Sequence, residues 1–202
     1  MEPVTVEKIE RLGSDNLRVF GGTFEGGINL QQVPDEIVPC LNEIINSGIK
    51  IKTFLEVGSA AGGCSVLFDD VFNLEKIIIV DDNKHWKHEQ RKLNIIKIGA
   101  EVEEFIGNSR SIDAVEYVKT KNIEFDIIMI DAGHSYYDVV DDVRNYKQFL
   151  KQSGFLILHD IHVVSPVRIA FEEIVERGEY NIKTYVSENS PKCGIGLLRN
   201  KQ

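Results

Sequence analysis

The chain has 202 residues and a formal net charge of −9, with 43% hydrophobic and 27% charged residues. That length and balance suit one α/β domain with a sizeable core, and a negative surface repels phosphate backbones, so broad nucleic-acid binding is not expected. No stretch reaches the ~20 apolar residues needed to cross a bilayer. The start, Met1-Glu2-Pro3-Val4, lacks the basic and apolar runs of a signal peptide. Cys40, Cys64 and Cys193 are few, distant and without a CxxC pair, which indicates neither a disulfide framework nor a zinc site and fits a reducing, cytoplasmic setting.

In chain order, Pro34–Asn46 reads as a helix with Ile37, Val38, Leu41, Ile44 and Ile45 on one face, Pro34 in its first turn and Gly48 just past its end. Ile51–Val57 is a buried strand and Gly62–Val71 a helix. Glu75–Asp81 is a second strand, Trp86–Ile96 a helix, Val102–Ile106 a weaker strand and Arg110–Lys121 a helix. Phe125–Asp131 and Phe155–His159 are near-continuous apolar strands of the kind covered on both faces. Between them Tyr136–Lys151 reads as a helix that buries Val139, Val143, Tyr146 and Leu150, with acids early and lysines late to suit its dipole. Ser165-Pro166 caps a further helix that ends at Gly178, and Ile182–Ser187 and Gly194–Arg199 read as two edge strands. This alternation implies a Rossmann-like, doubly wound, mostly parallel sheet filling one domain over 1–202, with an N-terminal segment (1–48) before the core (51–199). Gly21–Gly27 reads either as a mobile lid or as a plain surface loop.

Ligands of such sheets bind at the carboxyl ends of the strands. The first end carries Glu56, Gly58, Ser59, Ala60, Gly62 and Gly63. Small residues let the backbone turn sharply, and the following helix offers free N–H groups. Ala60 breaks the G-x-G-x-x-G pattern, and a carboxylate at Glu56 repels a diphosphate but suits an amino-bearing or cationic ligand. That favours S-adenosylmethionine over a dinucleotide. Asp81, with Asp82 in reserve, can accept the ribose hydroxyls. Asn108 can meet an adenine edge, and Ser109 follows it in the same turn; both residue types also favour plain turns and caps.

The remaining ends hold reactive groups: Asp131 and His134 after one strand, His159, Asp160 and His162 after the other. Neighbouring strands lie ~5 Å apart, so Asp131 and Asp160 should share a crevice and could offer Mg²⁺ a hard oxygen site, with His159 as a further candidate ligand. His134 is the first candidate for a base, with His159 as a second and His162 behind them.

Ile130-Asp131-Ala132-Gly133-His134-Ser135-Tyr136, running on through Val140, Asp142 and Leu150 to Gly154-Phe155-Leu156-Ile157-Leu158-His159-Asp160, resembles the class I S-adenosylmethionine-dependent methyltransferases. Within them it is similar to the macrocin-type O-methyltransferase and cephalosporin hydroxylase-like group. Leu55-Glu56-Val57-Gly58 with Gly62-Gly63 resembles the group's cofactor turn, and Gly194-Ile195-Gly196-Leu197 its terminal strand. The resemblance covers roughly 51–199. It implies a seven-stranded sheet with the last strand antiparallel, cofactor contacts at Glu56, Gly58 and Asp81, and metal ligands at Asp131 and Asp160. Three positions depart from the pattern: Ala132 replaces a glycine, Gly133 stands where some sugar methyltransferases carry an acidic base, and His159 stands where some relatives place a third acidic ligand.

The resulting expectation is a methyltransferase that acts on a small-molecule acceptor, with a sugar or other hydroxyl first, assisted by Mg²⁺. A nicotinamide-dependent oxidoreductase and a non-catalytic cofactor-binding module are the alternatives. A small-molecule acceptor is the expected partner, and a homo-oligomer is compatible with this reading.

Overall fold

A computed structural model describes residues 2–13, 27–189 and 192–201. Two helices, α1 (Val6–Leu12) and α2 (Pro34–Asn46), precede the alternating core. The core runs β1 (Thr53–Val57), α3 (Gly63–Phe72), β2 (Lys76–Asp81), α4 (His88–Ile95), β3 (Glu101–Ile106), α5 (Ile112–Thr120), β4 (Phe125–Ile130), α6 (Tyr136–Tyr146), β5 (Leu150–His159), α7 (Ser165–Glu176), β6 (Tyr180–Tyr185) and β7 (Ile195–Asn200). The sheet order is β3-β2-β1-β4-β5-β7-β6, with β7 antiparallel to both neighbours. The order reverses between β1 and β4, which opens a crevice at their carboxyl ends.

Side chains alternate across each strand with period two. Phe54, Ile77, Ile79, Ile127, Met129, Phe155 and Ile157 pack under α1, α2 and α3. Leu55, Val57, Ile78, Val80, Ile128, Ile130, Leu156 and Leu158 pack on the other face, with α5, α6 and α7. Carrying that alternation to the strand ends places Glu56, Asp81, Asp131 and His159 all on the α2–α3 side. Register therefore gathers the polar strand-end residues on one face.

Several local expectations shift. The sixth helix stops at Tyr146 and passes through a 3₁₀ turn, Lys147–Phe149, because Leu150 pairs with Phe125 and already belongs to β5. Lys151 thus lies in a strand, not a helix. Ser165 is inside α7, and Val164 is its N-cap residue with no side-chain cap bond. The final segment is not an edge, since β7 lies between β5 and β6. Helix α1 carries no strong sequence signal; it is short, and Ile9 is its one buried residue. Residues 21–26 of the glycine-rich stretch lie outside the described residues.

Candidate functional site

The turn after β1 is built by its neighbours. Gly58 has φ +85°, and a Cβ there would lie 2.2 Å from the Asp131 carbonyl oxygen. The glycine is required so that the β1 and β4 ends can touch. Asp81 Oδ2 accepts the Ser59 and Ala60 N–H groups at 2.8 and 3.0 Å. Its Oδ1 accepts Asn83 N–H at 2.7 Å and meets Arg91 Nη1 at 3.0 Å. Arg91 also donates to the Ala60 carbonyl at 3.1 Å, to Glu104 at 2.7 Å and to Asn83 Oδ1. Asp81 thus holds the turn together. Asp82 is exposed at the rim, where the N–H and the 83%-exposed side chain of Lys84 meet its carboxylate.

Glu56 lies beneath this turn. It is 1% exposed and accepts the hydroxyls of Ser59 at 2.7 Å and Ser65 at 2.5 Å. Burial pushes its carboxyl up to about 8, against the pull of those two hydroxyls. It does not line the cavity, and neither do Ser59, Gly62 and Gly63. Gly63 is needed for packing, since a Cβ would come within 2.7 Å of Leu30 Cα.

At the β4 and β5 ends four side chains converge. His134 Nε2 lies 2.9 Å from Asp160 Oδ2 and 3.7 Å from Asp131 Oδ1. His159 Nδ1 lies 3.3 Å from Asp131 Oδ1 and 3.4 Å from Asp160 Oδ1. Asp160 has φ +60°, a left-handed conformation that aspartate tolerates and that often marks functional sites. Contact with Asp131 and then Asp160 pushes His134 up to about 10, so without another cation its ring is protonated near neutral pH. Burial opposes charge on His159, yet Asp131 and Asp160 raise it well above the ordinary range. Asp160 is held low by His134 and His159 in spite of its burial. Within this cluster, the two acids and two imidazoles compensate one another.

The cavity above has a volume of about 530 Å³, within the range of small-molecule sites. Gly58, Ala60, Asp81, Asp82, Asn108, Ser109, Asp131, His134, His159 and Asp160 line it. Asn108 Oδ1 accepts the Arg110 N–H at 3.0 Å, which shapes its own loop. His162 is not in the lining. The structure adds Gln31, Lys84, His85 and Arg110. It also adds the fully buried Gln32, whose amide reaches Asp131 Oδ2 at 3.4 Å. Nothing in the local pattern marks these residues, since they enter from loops whose position depends on the rest of the fold. Behind His159, Glu36 and Cys193 are buried and bring donor atoms within 4.8 Å of it. Both Glu36 oxygens are occupied by the N–H groups of Ser187 and Gly194, which ties the β6–β7 connection to α2.

The methyltransferase-domain family matches residues 55–161, a span holding every one of these strand ends. The chain belongs to that family. By family and fold it is a class I S-adenosylmethionine-dependent methyltransferase. No curated protein matches it significantly. Among solved structures, an O-methyltransferase from Bacillus cereus in complex with S-adenosylhomocysteine is 15% identical, with TM-score 0.66 over 97% of this chain and 90% of the other. The O-methyltransferase TomG from Streptomyces achromogenes, in complex with S-adenosylmethionine, is 13% identical, with TM-score 0.65 over 82% and 81%. The mycinamycin-pathway methyltransferase MycE, in complex with Mg, S-adenosylhomocysteine and mycinamycin VI, is 12% identical, with TM-score 0.59 over 82% of this chain and 49% of its own. At these identities the likeness is one of fold. The family match removes the grounds for the oxidoreductase and for a bare binding module.

The methyltransferase also offers a place for a divalent ion. His159 Nδ1 and Asp160 Oδ1 are buried without a hydrogen-bond partner among the described residues, and Asp131 Oδ1 stands beside His159. Orphaned buried donors of this kind call for a ligand, and the residue types suit a cation. No helix among the described residues is long and apolar enough to cross a membrane.

Proposed function

We propose that this methyltransferase moves the methyl group of S-adenosylmethionine to a hydroxyl oxygen of a small polyhydroxylated acceptor, with a sugar as the first class to test. The observation that carries this reading is the convergence of Asp131, His134, His159 and Asp160 on the cavity that the β1 turn also lines. Such a cluster can grip and orient vicinal oxygens next to a methyl donor. The negative chain also favours a small acceptor over a nucleic acid, and three free, buried cysteines agree with a cytoplasmic setting.

When bound, the sulfonium cofactor supplies an activated methyl group and a neutral thioether leaving group. Gly58 and Ala60, the residues of the β1 turn that line the cavity, form its bed. Ala60 and Gly58 provide close backbone approach, and Glu56 stiffens the turn from below through Ser59 and Ser65. Asp82 takes the ribose diol, because Asp81 has its acceptor positions filled. Asn108 and Ser109 edge the adenine side. Asp131, Asp160 and His159 would hold a divalent cation, which would supply Lewis acidity toward an acceptor hydroxyl. His134, half-exposed at the mouth, receives the acceptor proton in its neutral form, the form it takes once the two carboxylates are otherwise neutralised.

The test is incubation of the purified chain with methyl-labelled S-adenosylmethionine and a panel of sugars, glycosides and catechol-type diols. Label should appear in an O-methyl product with matching release of S-adenosylhomocysteine. Product methylated only at nitrogen would overturn the hydroxyl assignment.

A further inference from the structure

We infer that the ion at the β4–β5 strand ends is a first-row transition cation such as Mn²⁺, held by Asp131, Asp160 and His159, and not Mg²⁺. This rests on reading the cluster as the acceptor-binding centre of the methyltransferase.

His159 is 4% exposed, and neither ring nitrogen has a hydrogen-bond partner. Its Nδ1 stands 3.3 Å from Asp131 Oδ1 and 3.4 Å from Asp160 Oδ1, at hydrogen-bond length but without hydrogen-bond direction. Asp160 Oδ1 is likewise buried and unpaired. Leaving such groups unsatisfied in a buried place is costly. An ion explains the spacing, because two donors ~2.1 Å from one octahedral cation stand ~3 Å apart across a right angle.

The donor types then decide which ion. Two carboxylates alone suit Mg²⁺, which takes oxygen ligands and keeps its waters. An imidazole nitrogen in the inner shell is a donor that first-row transition cations accept more readily than Mg²⁺ does, with Mn²⁺ the weakest binder of that row and one with a usable paramagnetic signal. His159 cannot swing aside to leave an oxygen-only site. It is a strand residue paired with Ile195, and its ring is walled in by Glu36 and Cys193.

Metal-stripped full-length protein should be titrated by calorimetry with MnCl₂ and with MgCl₂. Mn²⁺ is expected to bind more tightly than Mg²⁺. Pulsed electron paramagnetic resonance of the Mn²⁺-loaded wild type should show nitrogen coupling from an imidazole. In His159→Glu, which makes the set all-oxygen, the coupling should vanish and the Mn²⁺ preference should shrink at least about tenfold. Equal affinities in the wild type, no ion binding, or no nitrogen coupling each overturn the inference, as does coupling that persists in a folded His159→Glu. The wild-type spectra stand even if the variant fails to fold. S-adenosylhomocysteine titration of the same samples separates the two readings. Cofactor-product binding without ion binding sinks the ion site alone, whereas ion binding without any cofactor-product binding sinks the methyl-transfer reading.

Discussion

Arg91 Nη1 lies 3.0 Å from Asp81 Oδ1, with the two side chains only 3% and 7% exposed, and this pair clamps the cofactor turn from behind. The guanidinium fork reaches Glu104 and the Ala60 carbonyl at the same time. Removing one partner strands the other charge in a buried place, which costs about 3–5 kcal/mol. Arg91→Ala should therefore lower the unfolding free energy by that order in urea denaturation. Arg91→Lys should recover only part of it, because an ammonium cannot span the same partners.

The roles of the adjacent aspartates separate by substitution. Asp82→Asn should weaken S-adenosylhomocysteine binding ten- to a hundredfold, the worth of about 1.5–3 kcal/mol for charged hydrogen bonds, with an unchanged melting temperature. Asp81→Asn should instead lower the melting temperature, since it releases Arg91 and two N–H groups of the turn. Calorimetry and thermal melts on both variants check this; unaltered affinity in Asp82→Asn returns the diol to Asp81.

Asp131→Asn should cut kcat by about a hundredfold or more while leaving S-adenosylhomocysteine affinity within a few-fold. Asp131 belongs to the cluster proposed to meet the acceptor, whereas the β1 turn proposed to bed the cofactor is held by Asp81 and Arg91. Steady-state kinetics alongside product-binding calorimetry decide it. A loss confined to KM would place Asp131 in acceptor binding alone.

Asp142 on α6 is 1% exposed, and among the described residues neither oxygen finds a donor of proper geometry. Burial pushes its carboxyl up to about 7, which Ser109 and Arg110 only moderate. Its folded value is above its unfolded value, so the native state holds the extra proton between about pH 4 and 7. Stability then falls as pH rises through that window. Asp142→Asn should remove this slope and leave the protein more stable than wild type at pH 8, as read from denaturant midpoints at a series of pH values.

Glu103 works in the opposite sense. Lys121 and Lys76 clasp it and hold its carboxyl at about 2, below the ordinary glutamate range. The contribution is present above about pH 4.5 and is lost as pH falls toward 2. Glu103→Gln should flatten the acid limb of the stability profile, and about 1 M salt should do so in part by screening these half-exposed charges.

Much of the layout was legible because it rests on local pattern. The apolar runs around Ile77–Val80, Ile127–Ile130 and Leu156–Leu158 announce central strands, and the residues ending them are the ones that line the cavity. The failures share one cause. Helix α6 ends before Leu150 because that residue pairs with Phe125, a partner distant in sequence. Arg91, Gln32 and Glu36 read as ordinary helix or loop residues, and only packing brings them to Asp81, Asp131 and the β6–β7 connection.

Sequence alone determined the strand–helix alternation and, with it, the crevice at the β1–β4 reversal and the acidic and imidazole groups that face it. Periodicity and turn chemistry act between near neighbours along the chain, so they can be read without coordinates. Only the tertiary structure decided how those groups are used. Whether Asp81 meets a ligand or an arginine, whether Glu56 faces the cavity or two serine hydroxyls, and whether His159 stands free or walled in beside two carboxylates all depend on contacts between distant segments. Such contacts form only when the sheet closes, and burial then fixes the charge and hydrogen bonding of each group.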